Sequence, residues 1–446
     1  MIARMGIAEA AFGFKMATLR RGSRRFYDGL LANERRPAAE LADLESRKAA
    51  AIARHAATTT THYARVFREH DIRVDRLEDP AEWQRIPLLV RADIKANGDD
   101  LKSTEWNEKS ARSAKTGGST GEPLRTYVDA RVPMLAAAWR MYRWWGVAPW
   151  DNLARVGRWG FGRSDSVKNA ITWWPSKQVY LDAMLFDRAS MREFYARLIK
   201  TRPVLIEGYV GAMLEFAEFL KTEGLIVPSL RAVSTTSAPL TANVRARLES
   251  VYGVPVYDEY RGSEINWMAG ECRARNGLHI FSDLRRIEVL DDDGRRVPDG
   301  TVGNIIVTDL ENRVFPLIRY WAGDRGALLS RQCECGVSLP LMTQPEGRSA
   351  DLIRTPSGKV LNHGLMTMFA DHPEAVRIFQ LHQNADHSVD IRVVKGDDPD
   401  SERKVEAAAE RLRQRVDGEI AVRVTYVPEL PYTGGKTKYI TSDLAN

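Results

Sequence analysis

The chain has 446 residues, 65 basic against 59 acidic, for a formal net charge of +6; at that length two or three lobes are expected. Its 44% hydrophobic and 28% charged residues are those of a soluble folded protein, and no apolar run approaches the ~20 residues of a membrane helix. The thin basic excess, with no basic stripe interleaved with aromatics, excludes a nucleic-acid binder, and three cysteines exclude a disulfide framework and point to a reducing, cytoplasmic setting.

Residues 1–37 are basic and partly amphipathic, with a cluster at Arg20, Arg21, Arg24 and Arg25. A solvated helix is expected there, with a membrane-surface or partner contact as the alternative. The stretch lacks a clean apolar core and a cleavage site, so it does not read as a signal peptide. From Ala38 to about Glu69 the pattern is helical, and "RIPLLVRADIKAN" reads as a short strand leading into a helix. A loop of small residues, "KTGGSTGEP", precedes the strand "RTYVD" and a helix from Pro133 to Trp145.

Strand and helix patterns then alternate. "PVLIEGY" precedes "GAMLEFAEFLKTEG", "SLRAVSTTS" precedes "TANVRARLESVYG", and "VPVYDEY" follows. Alternation of this kind predicts an α/β protein built on a mainly parallel sheet. From Ile280 to Leu329 the pattern turns antiparallel, with "DDDG" as a hairpin turn after "RRIEVL". The residues from "EGRSADLI" onward read as a small α+β lobe.

The small-residue loop offers Thr116, Gly117, Gly118, Ser119, Thr120 and Gly121. Backbone N–H groups there can converge on phosphate oxygens, and the hydroxyls add donors. It matches neither a Walker A sequence nor a dinucleotide fingerprint, and taken alone it reads equally well as a surface turn. Four later fragments change the balance. "YRGSE" ends a strand and sets Tyr260 four residues before Glu264. "PLIRYWAGDRG" puts Asp324 in a tight turn after a strand, where a carboxylate can hold a ribose diol. "EGRSAD" offers Arg348, and "PYTGGKTKY" sets Lys436 on a glycine hinge.

In this order the fragments resemble the adenylate-forming superfamily of acyl-CoA synthetases, adenylation domains and luciferases. Within it they are most similar to the phenylacetate–CoA ligase branch and its capsule-biosynthesis homologues. "YARVFREHDI", "STTSAPLTANVRARLESVYGVPV" and "NRVFPLIRYWAGD" carry that likeness, which runs from about Ala38 to the last residue. The resemblance implies a large N-terminal lobe over 38–345 with parallel and mixed sheets, and a small mobile α+β lobe over 346–446.

It implies roles as well. Thr116–Gly121 would hold the β- and γ-phosphates of ATP, and Tyr260 would stack on adenine beside Ala238 and Asp258 or Glu259. Ser263 would meet the α-phosphate, Glu264 would help bind Mg²⁺, and Asp324 and Arg348 would hold the ribose. Lys436 would bridge the substrate carboxylate and the α-phosphate. The reaction implied is ATP-dependent activation of a carboxylic acid, an aryl or arylacetic acid by resemblance, followed by transfer to the thiol of CoA. An amine, hydroxyl or carrier-protein thiol is the alternative acceptor, and a homodimer is admitted. A non-catalytic nucleotide-binding scaffold is the third reading, opposed by the presence of Lys436, Glu264 and Asp324. Three positions depart from the branch: Arg261 stands for a glycine, Asn304 for a glutamate and Ala350 for an acidic residue.

Every cysteine lies between 272 and 335. Cys272 with His279, and Cys333 with Cys335, could complete a closed Cys₃His site for structural Zn²⁺ in a subdomain of about 270–340; reduced thiols and a surface histidine are the alternative. His62 and His363 read as polar surface or helix-end residues. Seven of the eleven tryptophans fall between Trp139 and Trp174 and read first as core packing, with an acyl-pocket wall as the alternative. Arg155, Arg158, Arg163 and Lys168, interleaved with them, could meet an anionic acceptor.

Overall fold

The computed structural model describes residues 6–115, 124–157, 163–182, 187–345, 374–430 and 439–444, with 353–357, 360, 361, 365, 368, 369 and 372. It is an α/β protein whose chain divides into two compact units, Met1–Pro149 with Glu259–Pro345, and Trp150–Asp258 with Glu346–Asn446.

The first unit opens with helices α1 (Ile7–Thr18) and α2 (Arg21–Asn33). The basic extension is therefore a helical pair with a packed face, not a single solvated helix. Phe12, Met16, Tyr27 and Leu30 are buried, and Phe12 and Tyr27 meet Trp139 edge-on at 5.2 and 5.8 Å. Helices α3 (Ala38–Thr59) and α4 (Thr61–Glu69) follow. Thr60 separates them in an extended conformation, and its hydroxyl caps α4 by accepting from the Tyr63 N–H at 3.2 Å. His62, in the first turn of α4, is buried rather than on the surface, with its ring edge-on to Tyr63. After α5 (Pro80–Gln84), "IPLLV" makes no strand of its own; Leu89 forms a lone parallel bridge to Tyr320 before α6 (Arg91–Asn97).

Strands β1 (Ala111–Lys115) and β2 (Arg125–Asp129) pair antiparallel with Lys115 opposite Arg125. Helix α7 (Leu135–Trp144) is apolar on nearly every side, and its residues from Ala136 to Tyr142 are all buried.

The second unit alternates as the sequence pattern predicts: β3 (Leu153–Gly157), α8 (Arg163–Trp173), β4 (Gln178–Asp182), α9 (Arg188–Thr201), β5 (Leu205–Tyr209), α10 (Val210–Thr222), β6 (Ala232–Thr236), α11 (Ala242–Tyr252) and β7 (Val256–Tyr260). The strands run parallel in the order β4-β3-β5-β6-β7. Every residue of β3, β6 and β7 is buried, as a parallel sheet covered by crossover helices requires. Thr241 caps α11, and Gly253 ends it at φ 69, a left-handed conformation that costs glycine little.

Back in the first unit, the last two residues of β7 pair with β8 (Ala269–Glu271). An antiparallel ladder continues through β9 (Leu278–Ile280), while β10 (Arg285–Leu290), β11 (Gly303–Asp309) and β12 (Tyr320–Gly326) form a separate antiparallel sheet. The "DDDG" turn forms, with the Gly294 N–H donating to the Asp291 carbonyl at 3.1 Å. It does not join the two long strands directly, because Leu290 pairs with Asn304 and the partner strand begins only at Gly303. Short strands β13 (Leu328–Leu329) and β14 (Leu341–Met342) complete the ladder, with β14 pairing β9.

The last hundred residues carry the small pair β15 (Ile353–Arg354) and β16 (Val360–Leu361), then β17 (Val376–Gln383), β18 (Val389–Lys395), α12 (Ser401–Arg415), β19 (Val422–Tyr426) and β20 (Ile440–Ser442). The main sheet runs β19-β18-β17-β20, and α12 buries Val405, Ala408, Ala409 and Leu412 in one core with Leu381, Ile391 and Val393. Among the described residues no helix is long and apolar enough to cross a membrane.

Candidate active site

The site builds outward from the end of β7. Its burial on both faces holds the strand rigid, so Tyr260 reaches the strand terminus with its ring almost fully buried. The Tyr260 hydroxyl donates to Asp324 Oδ2 at 2.8 Å, across 64 positions of sequence. Asp324 lies inside β12, not in the turn its sequence suggests. Two residues of advance on β11, from Asn304 to Ile306, are matched by four on β12, from Arg325 back to Trp321. The surplus forms a bulge that contains Gly323 at φ 90 and Asp324, and a bulge re-aims the side chains it carries.

Ser263 and Glu264 sit on the bend after β7, where the Gly262 N–H donates to the Ile265 carbonyl at 2.9 Å. Ser263 is exposed, and Glu264 Oε1 accepts from the Tyr320 hydroxyl at 3.5 Å. Tyr320 also opens β12, so one strand supplies a partner to Glu264 and, four residues on, to Tyr260. Sequence reasoning missed Tyr320, although it stands inside the fragment quoted for Asp324.

Glu259 is buried, with Arg261 Nε at 3.5 Å from its Oε2. The arginine that departs from the branch is thus spent on a neighbouring carboxylate. In the second unit, Asp258 is buried on β7 opposite Thr235 of β6, and Ala238 follows β6 just past Ser237, whose φ is 75. Asn304, itself buried, donates to Asp292 Oδ1 at 3.0 Å and accepts from Arg325 at 3.2 Å. Thr116, Gly117, Gly118, Ser119, Thr120, Gly121, Arg348, Ala350, His363 and Lys436 lie outside the described residues.

The cysteines and histidine do come together. Ligand atoms of Cys272, His279, Cys333 and Cys335 all lie within 4.8 Å of one another. Cys272 follows β8, His279 is central in β9, and the other two stand on the turn after β13. Cys272 Sγ is 3.5 Å from Cys333 Sγ, and His279 Nε2 is 3.2 Å from Cys335 Sγ. The His279 Nδ1–H donates to the Leu339 carbonyl at 3.0 Å, which fixes the ring and turns Nε2 toward the sulfurs. Burial lowers the His279 pKa, keeping the imidazole neutral, and pushes the Cys272 thiol up to about 12. Three thiols, one oriented neutral imidazole and no carboxylate form a donor set that fits a tetrahedral Zn²⁺.

Trp144 packs on His279 at 5.3 Å between ring centroids, and its indole N–H donates to Glu34 at 3.0 Å. Trp139, Trp144, Trp145 and Trp173 are buried, in keeping with the core-packing reading, but Trp174 is 47% exposed, Trp150 is half-buried and Trp159 lies outside the described residues. Arg155 lies 3.3 Å from Glu207 and 4.2 Å over the Trp173 ring, within the second unit. The side chains of Arg158 and Arg163 lie outside the described residues.

No family model matches the chain. A phenylacetate–coenzyme A ligase of Thermus thermophilus is 26% identical over 238 residues, 48% of this chain and 54% of that protein, so the match spans about half of that relative. Protein CapK of Staphylococcus aureus is 20% identical over 91% of this chain and 90% of its own. A 2-hydroxyisobutyryl-CoA ligase in the postadenylation state, complexed with R3-HIB-AMP, shares the fold at TM-score 0.77 and 17% identity over 92% of this chain and 91% of that one. In sequence the chain is similar to phenylacetate–CoA ligases and to CapK, and in fold it is similar to an adenylate-forming CoA ligase.

Proposed function

We propose that the protein is an AMP-forming acid–CoA ligase: it activates a carboxylic acid with ATP as an acyl-adenylate and passes the acyl group to the thiol of CoA. The observation that carries this reading is the 2.8 Å bond between Tyr260 and Asp324. It sets an aromatic face beside a carboxylate on a rigid strand end, the pairing a purine and its ribose diol need. The solved neighbour is itself a CoA ligase and holds R3-HIB-AMP, an acyl-adenylate in kind.

In this reading Tyr260 stacks on adenine and Asp324 accepts from the ribose, with Arg348 beside it. Thr116–Gly121 hold the β- and γ-phosphates, and Ser263 meets the α-phosphate. Attack of the acid on the α-phosphorus builds charge on the equatorial oxygens, which Lys436 offsets. Mg²⁺, held with Glu264, supplies Lewis-acid charge to the phosphates when bound. Glu264 is held in turn by the Tyr320 hydroxyl. The acyl-adenylate is a mixed anhydride that water destroys, so closing a lobe over it would have a chemical purpose. The substrate proposed is an aryl or arylacetic acid, by kinship with the phenylacetate ligases. Zn²⁺ held by Cys272, His279, Cys333 and Cys335 would be structural, since four protein ligands leave no open position.

Acid-dependent ATP–pyrophosphate exchange across a panel of aryl, arylacetic and aliphatic acids tests the first half-reaction. Product mass with CoA and simple amines offered side by side tests the second. Exchange with an arylacetic acid and thioester formation are expected. No exchange with any acid removes the adenylation reading; amides formed while CoA is ignored remove the CoA acceptor alone.

A further inference from the structure

Helix α1 is apolar on two opposite sides. One side turns Phe12 and Met16 into the protein. The other carries Ile7, Ala10, Phe14 and Ala17, spaced three and four apart and all exposed, Ile7 by 91% and Phe14 by 64%. Leu19, 74% exposed, follows at the helix end. Single exposed apolar residues are ordinary, but a stripe along one helix face is not.

The stripe runs directly into positive charge. Arg20, Arg21, Arg24 and Arg25 follow within six positions, and all four are exposed. Arg21 Nε donates to the Ala17 carbonyl at 2.8 Å, which holds its guanidinium against the end of α1. Met16, Ala17, Arg21, Arg24, Arg25 and Asp28 line an open cleft of about 440 Å³ there. Asp28, 3.5 Å from Arg24, is the one acid in that lining. Burial, and after it the Arg20 charge, lowers the pKa of Lys15.

We propose that this face docks the protein on an anionic lipid surface, with Ile7 and Phe14 entering the acyl boundary and Arg21, Arg24 and Arg25 taking headgroup phosphates. Apolar insertion joined to a basic patch is how a helix lies in a membrane interface without crossing it. Self-association through the same face is the competing outcome, and sedimentation equilibrium separates it from lipid binding. The proposal does not depend on the ligase reading.

Co-sedimentation of the full chain with vesicles of equimolar phosphatidylglycerol and phosphatidylcholine, and with phosphatidylcholine alone, tests it. Binding to the anionic vesicles and weak binding to the neutral ones is expected, falling as salt rises. Phe14→Glu, and separately Arg21→Glu with Arg24→Glu, should each lower partition roughly tenfold or more. These side chains are exposed, so circular dichroism and Tm should stay at wild-type values; Ile7→Ser is the milder variant should Phe14→Glu disturb the fold. Equal binding to neutral and anionic vesicles overturns the proposal. So does a wild type that binds neither but self-associates in sedimentation equilibrium and becomes monomeric with Phe14→Glu. Retention on polyglutamate without vesicle binding overturns it in favour of an acidic protein partner.

Discussion

Asp324 answers to two demands at once. Its Oδ2 accepts from Tyr260, while the proposed ribose contact needs a charged acceptor at the same carboxylate. The two contributions separate by substitution. Tyr260→Phe keeps the stacking face and leaves the ribose acceptor in place, while Asp324→Ala removes the charged acceptor, at about 1.5–3 kcal/mol. Calorimetry with ATP should therefore show Asp324→Ala the weaker binder, with the acid's own affinity unchanged in both. Equal losses would place the ribose elsewhere. Tyr260, Glu264 and Asp324 were candidates in the sequence because their fragments resemble a known family in order and spacing. Tyr320 was not, because a tyrosine on a strand looks like packing until the strand's partner is known.

At the scale of the element, β9 and the turn after β13 decide whether three cysteines and a histidine make a site. His279 stands between β8 and β14, opposite Gly270 on one side and Leu341 on the other, and is wholly buried. Cys333→Ser should lower Tm and metal content together, because a structural site couples metal binding to folding. Elemental analysis of protein purified without added metal should find about one zinc per chain in the wild type. Full zinc retained by the variant would count against the site. The β1–β2 pair, which flanks the small-residue loop, has an electrostatic anchor. Arg313 and Arg131 hold the Glu105 carboxyl down to about 2, and Arg131 also grips Asp129 at the end of β2. A depressed carboxyl pKa gives stability present above the usual value near pH 4.5 and lost as pH falls toward about 2. Glu105 is part-exposed, so the effect is modest. Glu105→Gln should flatten the acid limb of the Tm profile between those limits while changing Tm little at pH 2, where Glu105 is half protonated; an unaltered limb would show the anchor to be idle.

For the whole molecule, the proposed chemistry draws on segments spread across the chain, from Thr116 to Lys436. Lys436→Ala should lower acid-dependent pyrophosphate exchange by ~10²-fold or more, the scale of losing one charge contact made in the transition state. Tm should hardly move. Exchange at the wild-type rate would sink the role given to that lysine. The sequence by itself determined the strand–helix alternation of the second unit, the mixed α and β content of the last hundred residues and the likeness to CoA ligases. Local signals suffice for these: an apolar period, a capping threonine before α11, a glycine after it, and fragments in a fixed order. Only the tertiary structure decided that Asp324 rides a bulge rather than a turn, because a bulge exists only relative to the partner strand's register. It likewise decided that His62 is buried and that Arg155 answers to Glu207. It also decided that α1 packs one apolar side and leaves the other bare. Burial, pairing and register belong to contacts between segments distant in sequence, and no local pattern carries them.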